Sequence, residues 1–265
     1  MSSNGKNRVK NINELNPPID FSVCTLVTDH TEYRDMVASF NRAGFTDANT
    51  EFLYVDNSNG NTEDGYSGLN KFLNRASGKY IIVCHQDILL EFDDIGVLAE
   101  RIAEMDRLDP DWAVLGNAGY GDFNTKLYRI TDPWGADQKI GTLPARARSL
   151  DENFLLVKND ANLALSHDLK GFHLYATDLC TLARILGWNA YVIDFHLYHK
   201  SGGNCNESFF ASKNAFMDKY ARIIRPMAIR TTCTMMLITC APLFNRFINK
   251  KFFYSIRKRL ETLLR

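Results

Sequence analysis

The sequence predicts an α/β fold built on an open, mostly parallel, twisted sheet flanked by helices. Between residues 21 and 115, short apolar segments of strand length alternate with segments whose apolar residues recur at helical spacing. This alternation, with helices of 10–15 residues, favours right-handed βαβ connections. Polar clusters directly follow the apolar segments, and ligand sites in such sheets lie at the carboxyl ends of the strands.

The elements of this half follow one another without long gaps. They are a strand at 21–27, a helix that Asp29 and Glu32 begin and Gly44 ends, a strand at 51–55, a helix at 66–76, a strand at 80–84, a helix at 95–105 and a strand at 112–115. Residues 116–150 show little periodicity and are expected to form loops. A strand at 153–157, a helix at 178–186 and a strand at 190–193 follow. From about residue 206 the chain is expected to be helical to its end, with breaks at Pro226 and Pro242.

Composition excludes several classes of protein. The 265 residues are 45% hydrophobic and 23% charged, which is typical of a soluble globular protein and unlike a disordered chain or a coiled coil. The formal net charge of +0 argues against a nucleic-acid partner. None of the six cysteines forms a CxxC spacing, and no apolar run reaches about 18 residues. A reducing, cytoplasmic location is predicted.

The charge is nevertheless segregated along the chain. Residues 222–265 hold ten Lys and Arg against one acidic residue, so the rest of the chain has 21 basic and 30 acidic residues. Three regions are predicted: a flexible arm at 1–20, a ligand-binding and catalytic domain at 21–205, and a basic amphipathic helical region at 206–265. Interleaved apolar and basic groups in the last region favour an anionic membrane surface. The alternative is a helical appendage that packs on the domain or forms a dimer contact.

The clearest candidate for chemistry is His85-Gln86-Asp87, directly after a buried strand. Positions two apart in extended backbone point the same way, so the imidazole and the carboxylate would face a common point. A divalent ion that also holds a diphosphate suits this arrangement, and the imidazole favours Mn²⁺ slightly over Mg²⁺. The alternative is an Asp87 that only caps the turn after the strand.

Three other candidates are each ambiguous on spacing alone. Asp56 ends the second strand and could accept an N–H from a nucleobase, or simply form an Asx turn. His199, before Ser201-Gly202-Gly203, could reach a metal from a loop, or be a surface histidine. Asp178 could cap a helix or act as a general base. Trp134 could offer a ring face to a sugar, although a packed loop aromatic is the alternative.

The order of these clusters resembles the family 2 glycosyltransferases, over about residues 21 to 204. Val55-Asp56-Asn57-Ser58 is similar to the family's VDNGS or VDDGS segment, and Asn70 falls where the family has a helix Asn near the nucleotide. The segment 80–87, YIIVCHQD, stands at the DxD position, with His85 replacing the first Asp. Residues 171–180, GFHLYATDLC, and 199–203, HKSGG, resemble later segments of a subgroup that carries HQD.

The resemblance implies a GT-A fold and an inverting transfer of a sugar from a nucleoside diphosphate sugar to a hydroxyl of a glycan or lipid-linked acceptor, in cell-surface polysaccharide synthesis. It implies roles for particular residues. Asp87, His199 and His85 would hold Mn²⁺ or Mg²⁺. Asp178 would be the general base, with His173 as the second candidate. The nucleotide would contact Thr28, Asp56, Asn57, Asn70 and Gln86. Ala176 stands where that subgroup often has an Asp, which puts the identity of the base in question.

Other functions are compatible with parts of the sequence. A degenerate relative that binds a nucleotide or glycan without turnover would account for Ala176 and His85. A nucleotidyltransferase would need a Gly- and Lys-rich first loop, which Thr28-Asp29-His30-Thr31 does not supply. A membrane-surface scaffold would make the basic region the functional part. The GxGxxG, GxxxxGK[ST], HExxH and GxSxG signatures are absent from the sequence.

Overall fold

The computed structural model describes residues 17–203, 206–223, 226–230, 235–253 and 255–256. The chain divides after Ser212 into two compact units, and the helix at Glu207–Ile223 contributes to both. Of the predicted arm at 1–20, residues 1–16 lie outside the described residues, and the first strand begins at Ile19.

The strands are β1 (Ile19–Val27), β2 (Thr50–Asp56), β3 (Gly78–Cys84), β4 (Ile88–Leu89), β5 (Trp112–Gly116), β6 (Ala118–Tyr120), β7 (Lys126–Asp132), β8 (Gly135–Ile140), β9 (Ala145–Ala147), β10 (Ser149–Leu150), β11 (Phe154–Lys158), β12 (Asn189–Val192), β13 (Leu197–His199), β14 (Met227–Arg230) and β15 (Met235–Ile238). The α-helices are α1 (His30–Arg42), α2 (Gly65–Arg75), α3 (Ile95–Leu108), α4 (Tyr175–Ile185), α5 (Glu207–Ile223) and α6 (Pro242–Ile248). Short 3₁₀ turns lie at Asp122–Asn124, Asn159–Ala161 and Lys251–Phe253.

The first unit is organised around a seven-stranded sheet in the order β2-β1-β3-β11-β5-β12-β9. The strands β2, β1, β3, β5 and β12 run parallel to one another, whereas β11 and β9 are antiparallel to their neighbours. The predicted open, mostly parallel sheet flanked by helices is therefore confirmed. A second sheet has the order β10-β6-β7-β13-β4, and β8 pairs with β7.

Helix α1 shows why local sequence and fold agree in this half. Oδ1 of Asp29 accepts hydrogen bonds from the backbone N–H groups of Thr31 (2.7 Å) and Glu32 (3.2 Å), which satisfies two of the donors that a helix start leaves unpaired. The helix ends where Gly44 adopts φ +95°, a conformation that glycine tolerates. Its apolar face lies in the main core, which includes Met36, Phe40, Leu98, Ile102, Met105, Val23, Ile82 and Leu156.

The expectation of loops between residues 116 and 150 is wrong. This stretch forms strands β6 to β10, most of which belong to the second sheet. In β7 only Leu127 and Ile130 are buried, and in β8 no residue is buried, so the apolar pattern of a strand is weak. The hairpin between them turns at Asp132, whose Oδ1 accepts from the N–H groups of Trp134 (2.9 Å) and Gly135 (3.2 Å). Backbone pairing rather than apolar alternation forms these strands.

The second unit is also less helical than predicted. Helices α5 and α6 are present, but Met227–Arg230 and Met235–Ile238 form an antiparallel hairpin. Pro242 does not break a helix; it opens α6, at a position where its missing N–H needs no partner. Within the described ranges, the helices are all too short or too polar to cross a bilayer.

Candidate functional site

A cleft of about 280 Å³ opens at the carboxyl ends of β1 and β3. These neighbouring parallel strands end at the same edge of the sheet, so the residues that follow them meet there. The cleft is lined by Leu26, Thr28, Glu32, Asn57, Leu69, Val83, Cys84, His85, Gln86, Asp87, Phe172, Tyr175 and Ser201. Five of the residues predicted from the sequence are among them.

Gln86 ties the two strand ends together. Its Oε1 accepts hydrogen bonds from the N–H groups of Thr28 (2.8 Å) and Asp29 (3.0 Å). Its Nε2 donates to Oγ1 of Thr28 (2.9 Å) and to Oε2 of Glu32 (3.2 Å). Gln86 therefore shapes this wall of the cleft and orients Glu32, and both Gln86 and Thr28 line the cleft.

His85, Asp87 and His199 converge at the other side of this wall. Nδ1 of His85 lies 3.4 Å from Nε2 of His199, and Oδ1 of Asp87 lies 3.4 Å from the same Nε2. Oδ1 of Asp87 is 3.9 Å from Nδ1 of His85. All three ligand atoms lie within 4.8 Å of one another, and one carboxylate with two imidazoles is a donor set that fits Mn²⁺.

The second sheet delivers His199 to this cluster. Strand β13 pairs antiparallel with β4, which places His199 opposite Ile88. The N–H of Lys200 then donates to the carbonyl of Asp87 at 3.0 Å. Since β4 begins immediately after Asp87, this short pairing is what joins a residue near position 200 to the end of β3.

The charges of the cluster stabilise one another. Burial raises the pKa of Asp87, but hydrogen bonds from His199 and Ser201 outweigh it and hold that pKa far below its usual range. Burial lowers the pKa of His199, but its bond to Asp87 outweighs this effect and raises the pKa overall. For His85, burial and the charge of His199 lower the pKa, which favours the neutral imidazole that a metal requires.

Tyr175 supports His85 from the side opposite the cluster. Its Oη lies 3.1 Å from Nε2 of His85 and donates to the carbonyl of Glu152 at 3.5 Å. When the hydroxyl proton points to Glu152, His85 donates from Nε2 and keeps a lone pair on Nδ1. That lone pair faces Asp87 and His199, as a metal ligand would. Burial, and then the charge of Glu152, raise the pKa of Tyr175 well above its usual value, so its hydroxyl stays protonated.

Asn57 and Asp56, two residues predicted to contact the nucleotide, differ in whether they line the cleft. Asn57 is buried and lines the cleft. Its Oδ1 accepts hydrogen bonds from the N–H groups of Thr62 and Glu63, and its Nδ2 donates to the carbonyl of Glu63. Asn57 therefore mainly orders the loop after β2. Asp56 is about half exposed and lies outside the cleft lining. Its Oδ1 accepts from the N–H (2.9 Å) and Oγ (2.6 Å) of Ser58, which lowers the pKa of Asp56.

Asn70 and His173 also lie outside the cleft lining. Asn70 exchanges two hydrogen bonds with the backbone of Leu165, at 2.7 and 3.1 Å, and so holds the segment before α4. Nε2 of His173 lies 3.0 Å from Oγ of Ser208, and its carbonyl accepts from Oη of Tyr66. The neighbouring Phe172 is the part of this segment that lines the cleft.

The structure places Asp178, the predicted general base, out of contact with solvent. Asp178 is completely buried, its Oδ2 accepts from the N–H of Ser166 (2.8 Å) and its Oδ1 accepts from the Oγ of Ser166 (2.8 Å). It does not cap α4 either, because the helix begins at Tyr175 after Leu174. A carboxylate without solvent exposure cannot receive a proton from an acceptor hydroxyl in this conformation, so Asp178 has a structural role.

Glu152 is an acidic residue of the site that the sequence analysis missed. It lies two residues before β11, and its carbonyl accepts a hydrogen bond from Oη of Tyr175 at 3.5 Å. Burial, and then the charge of Asp151, raise its pKa to about 8. Nothing in the local sequence indicates this burial, because the start of α4 covers Glu152 from more than twenty residues away.

Comparison with known proteins gives one relative of substantial identity. No family model matches the chain. The chain is 38% identical over 208 residues to "ATP synthase subunits region ORF 6" of Fuscovulum blasticum, which covers 76% of this chain and 84% of that protein. The chain belongs to the family of this open reading frame. The name of that protein records a gene region and no activity.

The solved structures that resemble the chain are more distant. S. aureus TarS in complex with UDP-GlcNAc has a TM-score of 0.47 and 12% identity, covering 72% of this chain and 61% of that one. GalNAc-T7 with UDP, GalNAc and Mn²⁺ has a TM-score of 0.46 and 10% identity, covering 69% and 44%. A197 from STIV has a TM-score of 0.38 and 9% identity, covering 71% and 97%. The chain therefore spans less than two thirds of TarS and of GalNAc-T7.

Proposed function

We propose that this protein is a metal-dependent inverting glycosyltransferase that moves a sugar from a nucleoside diphosphate sugar to a hydroxyl of a glycan or lipid-linked acceptor. The observation that carries the proposal is the convergence of His85, Asp87 and His199 beside a cleft at the carboxyl ends of two parallel strands. A diphosphate needs a cation, and this is a position where open α/β sheets bind nucleotides.

Several residues of the chain contribute to donor binding in different ways. Gln86 and Thr28 form the wall along which the nucleotide lies, and Asn57 holds the adjoining loop. Asp56 uses Oδ1 for Ser58, so Oδ2 is left to accept an N–H from a nucleobase. Asn70 acts indirectly, by holding the segment that leads to Phe172 and Tyr175.

His85, Asp87 and His199 would hold Mn²⁺ or Mg²⁺, and Tyr175 orients His85. When bound, the ion supplies a Lewis acid that neutralises the charge developing on the diphosphate. Asp87 stays ionised throughout the physiological range because its pKa is so low. Two imidazoles and one carboxylate bring less negative charge than three carboxylates, so we expect Mn²⁺ to support activity better than Mg²⁺.

Trp134 is the residue best placed to hold a sugar of the acceptor. Its side chain is 76% exposed, at the turn between β7 and β8. The ring packs on Gly202, where an added Cβ would come within 2.7 Å of the indole Nε1. An exposed ring fixed next to the loop that carries His199 and Ser201 offers a flat apolar face, which suits the apolar face of a pyranose. Gly202 is needed for this packing.

The second unit suggests that the acceptor is met at a membrane. Four large apolar side chains in and after α6 are well exposed: Leu243 (79%), Phe244 (46%), Phe247 (51%) and Phe252 (88%). The basic residues Arg246 and Lys250 lie between them in sequence and are also exposed. Apolar side chains that enter a lipid headgroup region, with basic groups beside them, fit an anionic membrane surface. We extend the proposal to a lipid-linked acceptor for cell-surface polysaccharide and to a peripheral location at the cytoplasmic face of the membrane.

The donor site is tested by thermal unfolding with UDP, GDP, CDP and dTDP, with and without Mn²⁺. A ligand at 100 times its Kd stabilises by about 2.7 kcal/mol, which is easily measured. We expect one nucleotide to stabilise the protein only with Mn²⁺, and Asp87→Asn to abolish this effect. Asp47→Ala, an exposed acidic residue away from the cleft, is the matched control. The absence of any nucleotide effect in the wild-type protein would refute the proposal, and binding without turnover would indicate a degenerate relative.

A further inference from the structure

We propose that the protein carries a second anion site, separate from the cleft, in which Arg146, Arg148 and Arg184 bind a phosphate group. The side chains of these three arginines line one recess beside the C-terminal end of α4, together with Trp188 and Asn189. No acidic residue is among the described residues that line this recess. The inference does not depend on the proposed transferase activity.

Two of the three arginines are held in place by neighbouring side chains. Arg148 forms an ion pair through Nε with Oδ1 of Asp122. Arg146 donates from Nη2 to Oδ1 of Asn189, whose Nδ2 donates in turn to Oδ2 of Asp109 at 2.7 Å. A guanidinium group has five N–H donors, and each of these contacts uses one of them. Arg146 and Arg148 are therefore anchored with donors still available for a ligand.

Arg184 completes the recess from the last turn of α4. Among the residues that the structure describes, none forms a hydrogen bond or an ion pair with its exposed side chain. All three arginines act on the carboxylate of Asp122: the hydrogen bond from Arg148, and then the charges of Arg146 and Arg184, lower the pKa of Asp122. Three positive charges thus lie around one exposed carboxylate.

The charge and the shape of the recess suit a phosphate group. The next carboxylate, Asp109, is already bound by Asn189 and by Oη of Tyr191 at 2.6 Å. A guanidinium fork matches two phosphate oxygens, and a phosphate that carries nearly two negative charges gains most from three such groups. The recess has a volume of about 10 Å³, which is room for one water molecule. We therefore expect one phosphate oxygen to enter it and the others to contact the guanidinium groups at its mouth.

The recess is distinct from the cleft that would hold the diphosphate of a donor. Helix α4 begins at Tyr175, which lines the cleft, and Arg184 lies nine positions later, about 14 Å further along the helix axis. The two phosphates of one diphosphate share a bridging oxygen, so they cannot reach both places. The ligand of the arginines is therefore a different phosphate group, either free phosphate or a phosphate monoester.

The test is isothermal titration calorimetry of the full chain with inorganic phosphate, in EDTA so that no metal in the cleft can hold the phosphate. Titration with sodium chloride at the same ionic strength measures screening alone. We expect saturable phosphate binding that is weakened at least about tenfold in Arg184→Gln and in Arg146→Gln. Arg42→Gln removes an exposed arginine from the last turn of α1 and is the matched control, which should bind as the wild-type protein does.

Asp122 provides a prediction of the opposite sign. Asp122→Asn removes the carboxylate that competes with phosphate for Arg148, so phosphate should bind several-fold more tightly. If the ion pair serves the fold alone, the same change lowers the urea midpoint and leaves phosphate binding as it was. That result would remove Arg148 from the proposed site.

Two further probes identify the form of the ligand. Binding of glycerol 3-phosphate as tightly as phosphate would assign the site to a phosphate monoester, and its loss would assign the site to free phosphate. Equal binding of dimethyl phosphate, which carries one charge, would overturn the assignment to a dianionic group. If the wild-type protein binds phosphate no better than chloride, or if Arg42→Gln weakens binding as much as Arg184→Gln, the second anion site is refuted. Neither result bears on the proposed function, which the Mn²⁺-dependent effect of nucleotides tests.

Discussion

Replacing Asp178 by alanine should destabilise the fold strongly. The side chain is completely buried, and its two oxygens accept 2.8 Å hydrogen bonds from the N–H and the Oγ of Ser166. A buried donor left without its acceptor costs about 1–3 kcal/mol, and Asp178→Ala leaves two such donors, so it should lower the free energy of unfolding by about 2–6 kcal/mol. That is a large part of the 5–15 kcal/mol that typically stabilises a domain.

The assay is urea unfolding of the wild-type protein, Asp178→Ala, Ser166→Ala and the double variant. Ser166→Ala removes only the hydroxyl and should cost about 1–2 kcal/mol. The double variant should cost less than the sum of the two single changes, with an interaction energy of about 1–2 kcal/mol, because both changes remove the same Oγ–H bond. A catalytic role predicts the opposite pattern. If Asp178→Ala unfolds at the wild-type urea concentration and loses only turnover, the argument from burial is refuted and Asp178 returns as the base.

Three further predictions concern stability. In wild-type protein the raised pKa of Glu152, about 8, means that the folded state keeps a proton that the unfolded chain loses near its ordinary value of 4.5. Stability should therefore fall by up to about 1.4 kcal/mol per pH unit between these values and level off above pH 8, and urea midpoints from pH 5 to 9 should show a flatter profile for Glu152→Gln. Gly78→Ala should destabilise by about 1–3 kcal/mol in urea unfolding, because its Cβ would lie 2.6 Å from backbone atoms of β1, whereas Gly203→Ala, with nothing within 4 Å, should differ by under about 0.5 kcal/mol. Asp29→Ala should cost about 1 kcal/mol through the lost helix cap, measured in the same way; an unchanged midpoint would show that the cap contributes nothing.

The sequence predicts the first half of the fold well because each element there carries its own signal. Helix α1 has a cap at Asp29, a buried stripe and a glycine stop, and β3 is an almost continuous apolar run. The second sheet has no such signal. Strand β8 has no buried residue, and β13 has only three residues, so their formation depends on partners that are distant in sequence.

The candidate site likewise contains residues whose position a local pattern predicts and residues whose position depends on distant partners. The spacing of His85 and Asp87 after a buried strand predicts that both face one point, and the structure brings them together. The addition of His199 depends on the pairing of β13 with β4, across more than one hundred residues, which no local pattern reveals. Two acidic side chains have surroundings that no local pattern reveals: the buried Asp178 accepts two hydrogen bonds from Ser166, and Tyr175 at the start of α4 donates to the carbonyl of Glu152.

The pairing of β13 with β4 has a consequence for how the protein would respond to a metal. His85 follows β3 of the main sheet, whereas Asp87 and His199 adjoin β4 and β13 of the second sheet, so an ion that binds all three cross-links the two sheets. By thermodynamic linkage, opening of the second sheet must then release the ion, and the ion must resist that opening by its binding free energy. Amide hydrogen exchange would record this as slower exchange in β13 and β4 on addition of Mn²⁺. A substitution far out in the second sheet could therefore weaken metal affinity without touching a ligand.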